Sequence, residues 1–220
     1  MSEDFSNSPE LRITEIFYSL QGETTLSGLP TVFIRLTGCP LRCQYCDTAY
    51  AFKGGIKMPL EKILDKARSY STQNICVTGG EPLAQPNCLI LLKQLADLGK
   101  TISLETSGAL PIDQVDPRVI IILDIKTPDS LESHRNYLEN LKFLKKTDQI
   151  KFVICSKQDY EFSKNFIQEN KLINFCEILF SPSYTQINPA DLAAWILEDQ
   201  LQVRLQIQLH KVLWGDKTGV

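Results

Sequence analysis

The sequence predicts an α/β fold built as a partial, open β/α barrel with mainly parallel strands. Strand-like runs alternate with helix-like ones along most of the chain, which favours a parallel sheet with right-handed crossovers. At 220 residues the chain is short for a complete eight-stranded barrel. Hydrophobic residues make up 43% of it, enough for a sizeable buried core, and no low-complexity linker or internal repeat divides it. One domain over residues 1–220 is expected, with residues 1–11 as a polar N-terminal tail.

After that tail, residues 12–19 (RITEIFYS) alternate as a half-buried strand does, and residues 31–36 (TVFIRL) form a second run rich in β-formers. Further strands are expected at residues 74–77, 101–104, 119–123, 149–154, 176–180 and 202–209. Between them, apolar residues at three- and four-residue spacing predict helices over 59–70, 88–98, 131–143, 159–169 and 189–198. In such folds the chemistry gathers in loops at the carboxyl ends of the strands, which tests every motif by its position.

The formal net charge of -3, with both signs mixed along the chain, offers no broad electrostatic footprint for a phosphate backbone, so nucleic acid is not the expected partner. The polar N-terminus lacks the basic start and apolar run of a secretory signal, and no apolar run reaches membrane-spanning length. A cytoplasmic protein that engages no membrane is expected. Seven cysteines, three of them crowded into eight residues, suit metal ligation in a reducing compartment better than a disulfide framework. The scattered Cys76, Cys88, Cys155 and Cys176 read as small buried hydrophobes.

Cys39, Cys43 and Cys46 lie in the segment GCPLRCQYCDT, residues 38–48, directly after the strand ending near Leu36. Spacings of three and two residues let a short loop wrap three thiolates around one compact iron-sulfur cluster, and three ligands leave one iron of a four-iron cubane open. Structural zinc is the competing reading. It requires four ligands, and only three are local; His210 or a scattered cysteine would have to close the site.

Later strand ends carry further polar groups. VTGGEP at 77–82 offers two glycines for close backbone approach, and Pro82 stiffens the exit. LETSG at 104–108, LDIKTP at 123–128 and FSPSY at 180–184 follow at successive strand ends. Each has a plain structural alternative: a glycine turn, a cap by Thr106 or Ser107, a surface ion pair of Asp124 with Lys126, and a Pro-Ser turn.

The CxxxCxxC loop resembles the hallmark of the radical S-adenosylmethionine superfamily. The resemblance implies a radical SAM type barrel and a 4Fe-4S cluster whose open iron chelates the amino and carboxylate groups of S-adenosylmethionine. It also implies that an electron from the reduced cluster releases a 5′-deoxyadenosyl radical, and that the glycine-glycine-glutamate run at Gly79 to Glu81 receives the methionine amino group. The aromatic Tyr45 falls where the loop packs against adenine.

A narrower resemblance rests on EIFYSLQGE at 15–23, FIRLTGC at 33–39, CDT at 46–48 and QLHK at 208–211. Together they resemble the 7-carboxy-7-deazaguanine synthase family. That family implies conversion of 6-carboxy-5,6,7,8-tetrahydropterin to 7-carboxy-7-deazaguanine, a carbon-nitrogen lyase reaction of queuosine and other 7-deazapurine biosynthesis. The radical takes hydrogen from C6, the ring contracts with loss of ammonia, and S-adenosylmethionine is regenerated; magnesium is required. Substrate contacts carry over to Leu20, Gln21, Gly22, Arg35 and Thr78, and to the carboxylate at Val220. An Arg fork suits a substrate carboxylate. The alternatives are a surface salt bridge for Arg35 and, for the C-terminal residues, a segment that Trp214 anchors and that then trails off.

Thr48 carries over as the magnesium ligand, a hard cation being content with one protein oxygen and several waters; Asp47 could serve instead. Cofactor contacts carry over to Tyr45, Cys46, Asp47, Gly80, Asp124, Ile125, Lys126, Ser181, Pro182, Ser183 and Tyr184. Many members have Ser-Pro-Lys where this chain has Asp124, Ile125 and Lys126. The family further implies a homodimer and an electron donor, which the sequence does not identify. A glycyl-radical enzyme activase is the alternative enzyme, but activases continue the cysteine loop with Asn-Pro rather than Asp47 and Thr48. A zinc-stabilised binding module is the non-enzymatic alternative.

Overall fold

The computed structural model describes residues 9–173 and 175–220. The first eight residues of the expected tail lie outside them, and its last two belong to the sheet. Strand β1 (Glu10–Leu20) already buries Leu11, which is 1% exposed. β1 pairs antiparallel with β2 (Pro30–Leu36) on one side and with β3 (Ile56–Pro59) on the other. From β2 onward every pairing is parallel, through β4 (Asn74–Gly79), β5 (Thr101–Thr106), β6 (Ile120–Asp124), β7 (Gln149–Ile154), β8 (Glu177–Pro182) and β9 (Arg204–Leu205). The order β3-β1-β2-β4-β5-β6-β7-β8-β9 never closes on itself, which makes the sheet the open barrel that the alternating elements predict.

Helices α1 (Leu60–Arg68), α2 (Cys88–Ala96), α3 (Lys157–Glu169) and α4 (Pro189–Glu198) cover the outer face. α3 and α4 start at side-chain caps, Ser156 accepting from the Asp159 amide and Asn188 from that of Ala190. Strand alternation sorts the two faces. Val32, Ile34, Ile75, Val77, Leu104, Leu123, Phe152 and Phe180 pack into one apolar core with Leu91 and Leu95 of α2 and Ile167 of α3. The intervening residues turn inward, and there the parallel strands present Arg35, Thr78, Glu105, Asp124, Lys151 and Ser181, one polar side chain each from β2 and β4 to β8.

Two expected elements are different. Residues 131–143 form short 3-10 turns in place of a helix, with Leu131 left-handed at φ 64°. Asparagine side chains take the backbone partners: Asn136 exchanges bonds with both backbone groups of Lys126, while Asn140 donates to Gly108 and Leu110 and accepts from Ile112. Such side-chain bonds compete with a helix, and the apolar Leu138 and Phe143 are left about half exposed. The expected strand 202–209 shrinks to Arg204–Leu205, and Leu209–Trp214 forms an unforeseen helix, α5. The Gln206 amide still donates to the Phe180 carbonyl of β8, and its side chain bonds both backbone groups of Thr24.

That bond belongs to a floor. The β1–β2 connection, residues 21–29, lies at the amino ends of the parallel strands, where the Thr25 amide and hydroxyl meet the side chain of Gln149 at the start of β7. The barrel is thereby plugged from below. Its mouth remains open at the carboxyl ends.

Candidate active site

Between floor and mouth lies a cavity of about 770 Å³. The cysteine loop forms one wall of it. Gly38, at φ 99°, turns the chain out of β2, and its amide donates to Ala51 while its carbonyl accepts from Glu81. The Arg42 guanidinium lies 4.4 Å from the Phe52 ring centroid and donates to the Cys39 carbonyl, stiffening the loop.

Cys39, Cys43 and Cys46 are unpaired, partly exposed and line the cavity. Burial pushes all three thiols up, Cys43 to about 11, with Lys126 acting in the opposite sense. Bare thiolates are therefore disfavoured there, and iron would have to displace the protons. Among the described residues no three His, Cys, Asp or Glu side chains converge to hold a single metal ion.

Further groups around the cavity fit a polar ligand bound beside those thiols. Tyr45 Oη, Asp124 Oδ1 and Ser181 Oγ are buried without a hydrogen-bond partner, and such atoms are seldom left unpaired in a folded protein. Lys126 Nζ sits 2.9 Å from Asp124 Oδ2 and 5.8 Å from the Tyr45 ring centroid, so the expected ion pair forms inside the cavity wall rather than on the surface. Desolvation opposes the charge on Lys126, but Asp124 and its neighbours hold its pKa well above the ordinary value.

Arg35 donates its Nε to Glu15 at 2.8 Å and stacks over Phe17 and Tyr50, its centre 5.8 and 5.9 Å from their centroids. The guanidinium is fixed, and its outer edge lines the cavity. The Thr48 hydroxyl donates to Asp47 Oδ1 at 2.8 Å, leaving its lone pairs for a cation. Burial raises the Asp47 carboxyl, but Thr48, Lys151 and Gln208 outweigh it and hold it below the ordinary range.

Leu20, Gln21, Gly22, Thr78, Gly80, Pro182, Ser183, Tyr184 and Val220 also line the cavity. Ile125 does not: its side chain is 2% exposed in the outer core, with its amide bonded to the Lys151 carbonyl. Glu81 departs from the expected role as well. It is fully buried and accepts from the Thr106 hydroxyl, from the Ser107 amide and hydroxyl, and from the Leu83 amide, so it braces the end of β5.

The residues that sequence reasoning missed are Glu105, Lys151 and Glu23. Glu105 accepts from Thr78 at 2.8 Å and from Gln21 at 3.4 Å, and it lies within the electrostatic reach of Arg35 and Lys151. Lys151 pairs with Glu23 of the floor. The signal for Glu105 and Lys151 was present, as each is the one charged residue of its strand and alternates with buried apolar positions.

A parallel open barrel whose first parallel strand runs into a three-cysteine loop defines a radical S-adenosylmethionine enzyme. The family model described as the Radical SAM superfamily matches residues 33–150. That class carries a 4Fe-4S cluster and uses S-adenosylmethionine. The chain belongs to the 7-carboxy-7-deazaguanine synthase family. It is 42% identical to the 7-carboxy-7-deazaguanine synthase of Chlorobaculum tepidum, over 98% of this chain and all of that one. To that of Koribacter versatilis it is 40% identical, over 94% and 99% of the two chains. In fold it resembles the crystal structure of QueE from Escherichia coli, with a TM-score of 0.76, 22% identity and coverage of 94% and 99%. The likeness to SuiB of Streptococcus suis is weaker, with a TM-score of 0.54, 17% identity and coverage of 78% and 46%.

No described helix is long and apolar enough to cross a membrane.

Proposed function

We infer that the protein converts 6-carboxy-5,6,7,8-tetrahydropterin to 7-carboxy-7-deazaguanine by radical ring contraction with loss of ammonia. One observation carries this reading. Three thiols, three unpartnered polar atoms, a fixed arginine fork and the Glu105 carboxylate share one cavity, in a chain whose full-length relatives bear that enzyme's name.

The reduced cluster with S-adenosylmethionine supplies hydrogen abstraction. Cys39, Cys43 and Cys46 hold the cluster, and Tyr45, Asp124, Lys126 and Ser181 to Tyr184 receive S-adenosylmethionine along the strand ends. Gly80 brings its backbone close. Arg35 takes the substrate carboxylate with the edge that Glu15 leaves free. Glu105, steadied by Thr78 and Gln21, is an acceptor for ring N–H groups. Leu20, Gln21 and Gly22 underlie the ring, and Val220 closes on its far edge. Thr48 binds magnesium through the lone pairs not engaged with Asp47. The whole chain acts as one radical S-adenosylmethionine core domain. It works in the cytoplasm as a homodimer, served by an electron donor.

The test is anaerobic turnover of the carboxytetrahydropterin with S-adenosylmethionine, magnesium and a reductant, followed by mass analysis. Product should appear with one ammonia lost. Its absence from iron-replete enzyme overturns the reading. In the same assay Thr48→Ala should keep its iron and need roughly tenfold more magnesium, the equivalent of about 1.4 kcal/mol for one lost oxygen ligand.

A further inference from the structure

The segment leaving β9 is tied to the floor by amide groups. The Gln206 carboxamide bonds both backbone groups of Thr24, and the Leu209 amide donates to the Gly22 carbonyl at 2.9 Å. Between them stands Gln208, whose Nε2 lies 2.9 Å from Glu23 Oε1 and 3.2 Å from Asp47 Oδ2. Each carboxylate has a second engagement through its other oxygen: Glu23 with Lys151, and Asp47 with the Thr48 hydroxyl. One primary amide thus bridges the floor loop and the cluster loop, 161 residues away from Asp47 in sequence.

The chemistry of the bridge is specific. Glu23 and Asp47 are like charges on either side of one amide nitrogen, and they repel one another. A carboxamide nitrogen carries two hydrogens, so it can donate one to each anion while adding no charge. Among the described residues, the hydrogen-bond partner that Asp47 would then keep is its own neighbour Thr48, and only the longer-range attraction of Lys151 and Lys211 would hold it toward the floor.

We propose that Gln208 is a positioning residue for the divalent cation. By fixing Asp47 it commits the Thr48 hydroxyl proton to that carboxylate, keeps the Thr48 lone pairs turned to the cavity, and ties this arrangement to the floor beneath the pterin. The inference rests on the magnesium role proposed for Thr48 and names the group that prepares it.

Two near-isosteric variants test it in the iron-replete holoenzyme. Gln208→Met keeps length and loses both donors; Gln208→Glu keeps shape and sets a third carboxylate against two others. Iron content and S-adenosylmethionine binding should match the wild type. The magnesium concentration for half-maximal turnover should rise roughly tenfold in Gln208→Met and further in Gln208→Glu, as expected for losing hydrogen bonds to charged acceptors. kcat at saturating magnesium should stay within about twofold, since the cation-bound geometry is unaltered. A readout independent of turnover is Mn2+ binding with pterin present, followed by electron paramagnetic resonance, which should weaken in the same order.

No shift in either variant would mean that Gln208 only fills space, and would overturn the proposal. Thr48→Ala separates the two possible failures. If it titrates like the wild type, the magnesium assignment falls and this inference with it. If it is shifted while both Gln208 variants are not, the role of Gln208 alone is overturned.

Discussion

A Cβ on Gly80 would lie 2.2 Å from the Gly38 carbonyl oxygen and 2.8 Å from Cys39 Cβ. The second glycine of the pair therefore serves the cysteine loop before any ligand binds, by letting the end of β4 lie flush against it. Neighbouring atoms are backbone and cannot swing aside, so Gly80→Ala should push Cys39 out of place. We expect retained iron and visible absorbance to fall by half or more while far-ultraviolet circular dichroism stays that of a folded chain; full iron content would show that the loop yields freely. The cysteines divide in the same way. Cys43→Ala should abolish iron binding and turnover. Cys88→Ala, at a fully buried site in the apolar core, should keep both and cost about 1 kcal/mol of stability. The triplet was legible because spacing alone carries its meaning. Glu81 was not: the same three letters serve a ligand-binding turn or a buried brace, and only the Thr106 and Ser107 hydroxyls across the sheet decide between them.

At the level of elements, the parallel strands were legible because burial on both faces leaves continuous apolar runs such as Ile120 to Leu123. Residues 131–143 misled because apolar spacing cannot reveal where Asn136 and Asn140 send their hydrogen bonds. Residues 202–209 misled because two of their polar positions, Gln206 and Gln208, are occupied with the floor. The junction of floor and sheet has a pH signature. Burial pushes the Glu23 carboxyl up, but Lys151 and then Gln208 prevail, and the folded-state pKa lies below the ordinary 4.5. A carboxyl more acidic when folded contributes stability above its unfolded value, and that contribution is lost as pH falls through the depressed folded one. Glu23→Gln removes it and leaves the buried Lys151 charge without its carboxylate, a loss of about 3 kcal/mol or roughly 5–10 °C in Tm near neutrality. Thermal melts from pH 7 downward should show the two Tm curves converging below the usual glutamate range. A constant gap would mean that Glu23 contributes shape and not charge.

For the whole molecule, an open sheet solves one problem and creates another. A closed barrel of so few parallel strands would have its interior filled by side chains, leaving no room for a cofactor and a substrate together. Leaving the sheet open supplies the 770 Å³ cavity but exposes its lower end, which the β1–β2 connection plugs and the C-terminal segment seals. That segment then turns through α5 and brings its last residues back to the cavity. Lys211 pairs with Asp216 at 2.8 Å, Gly219 adopts φ 69° with Glu15 Oε2 3.2 Å from where its Cβ would stand, and Val220 lines the wall. In the function proposed above, the carboxylate at Val220 is acceptor-only and engages two neighbouring N–H donors, as an amino-pyrimidine edge presents. Deleting Gly219 and Val220 should accordingly raise KM for the pterin roughly tenfold or more, the worth of about one charge-assisted hydrogen bond. Iron content and S-adenosylmethionine binding should be unchanged, because the cysteine loop and the β6 and β8 ends do not depend on those residues. Steady-state kinetics on the truncated holoenzyme provides the measurement. An unaltered KM would place Val220 beside the substrate without contact, and leave Arg35 and Glu105 to orient the ring from the sheet side alone.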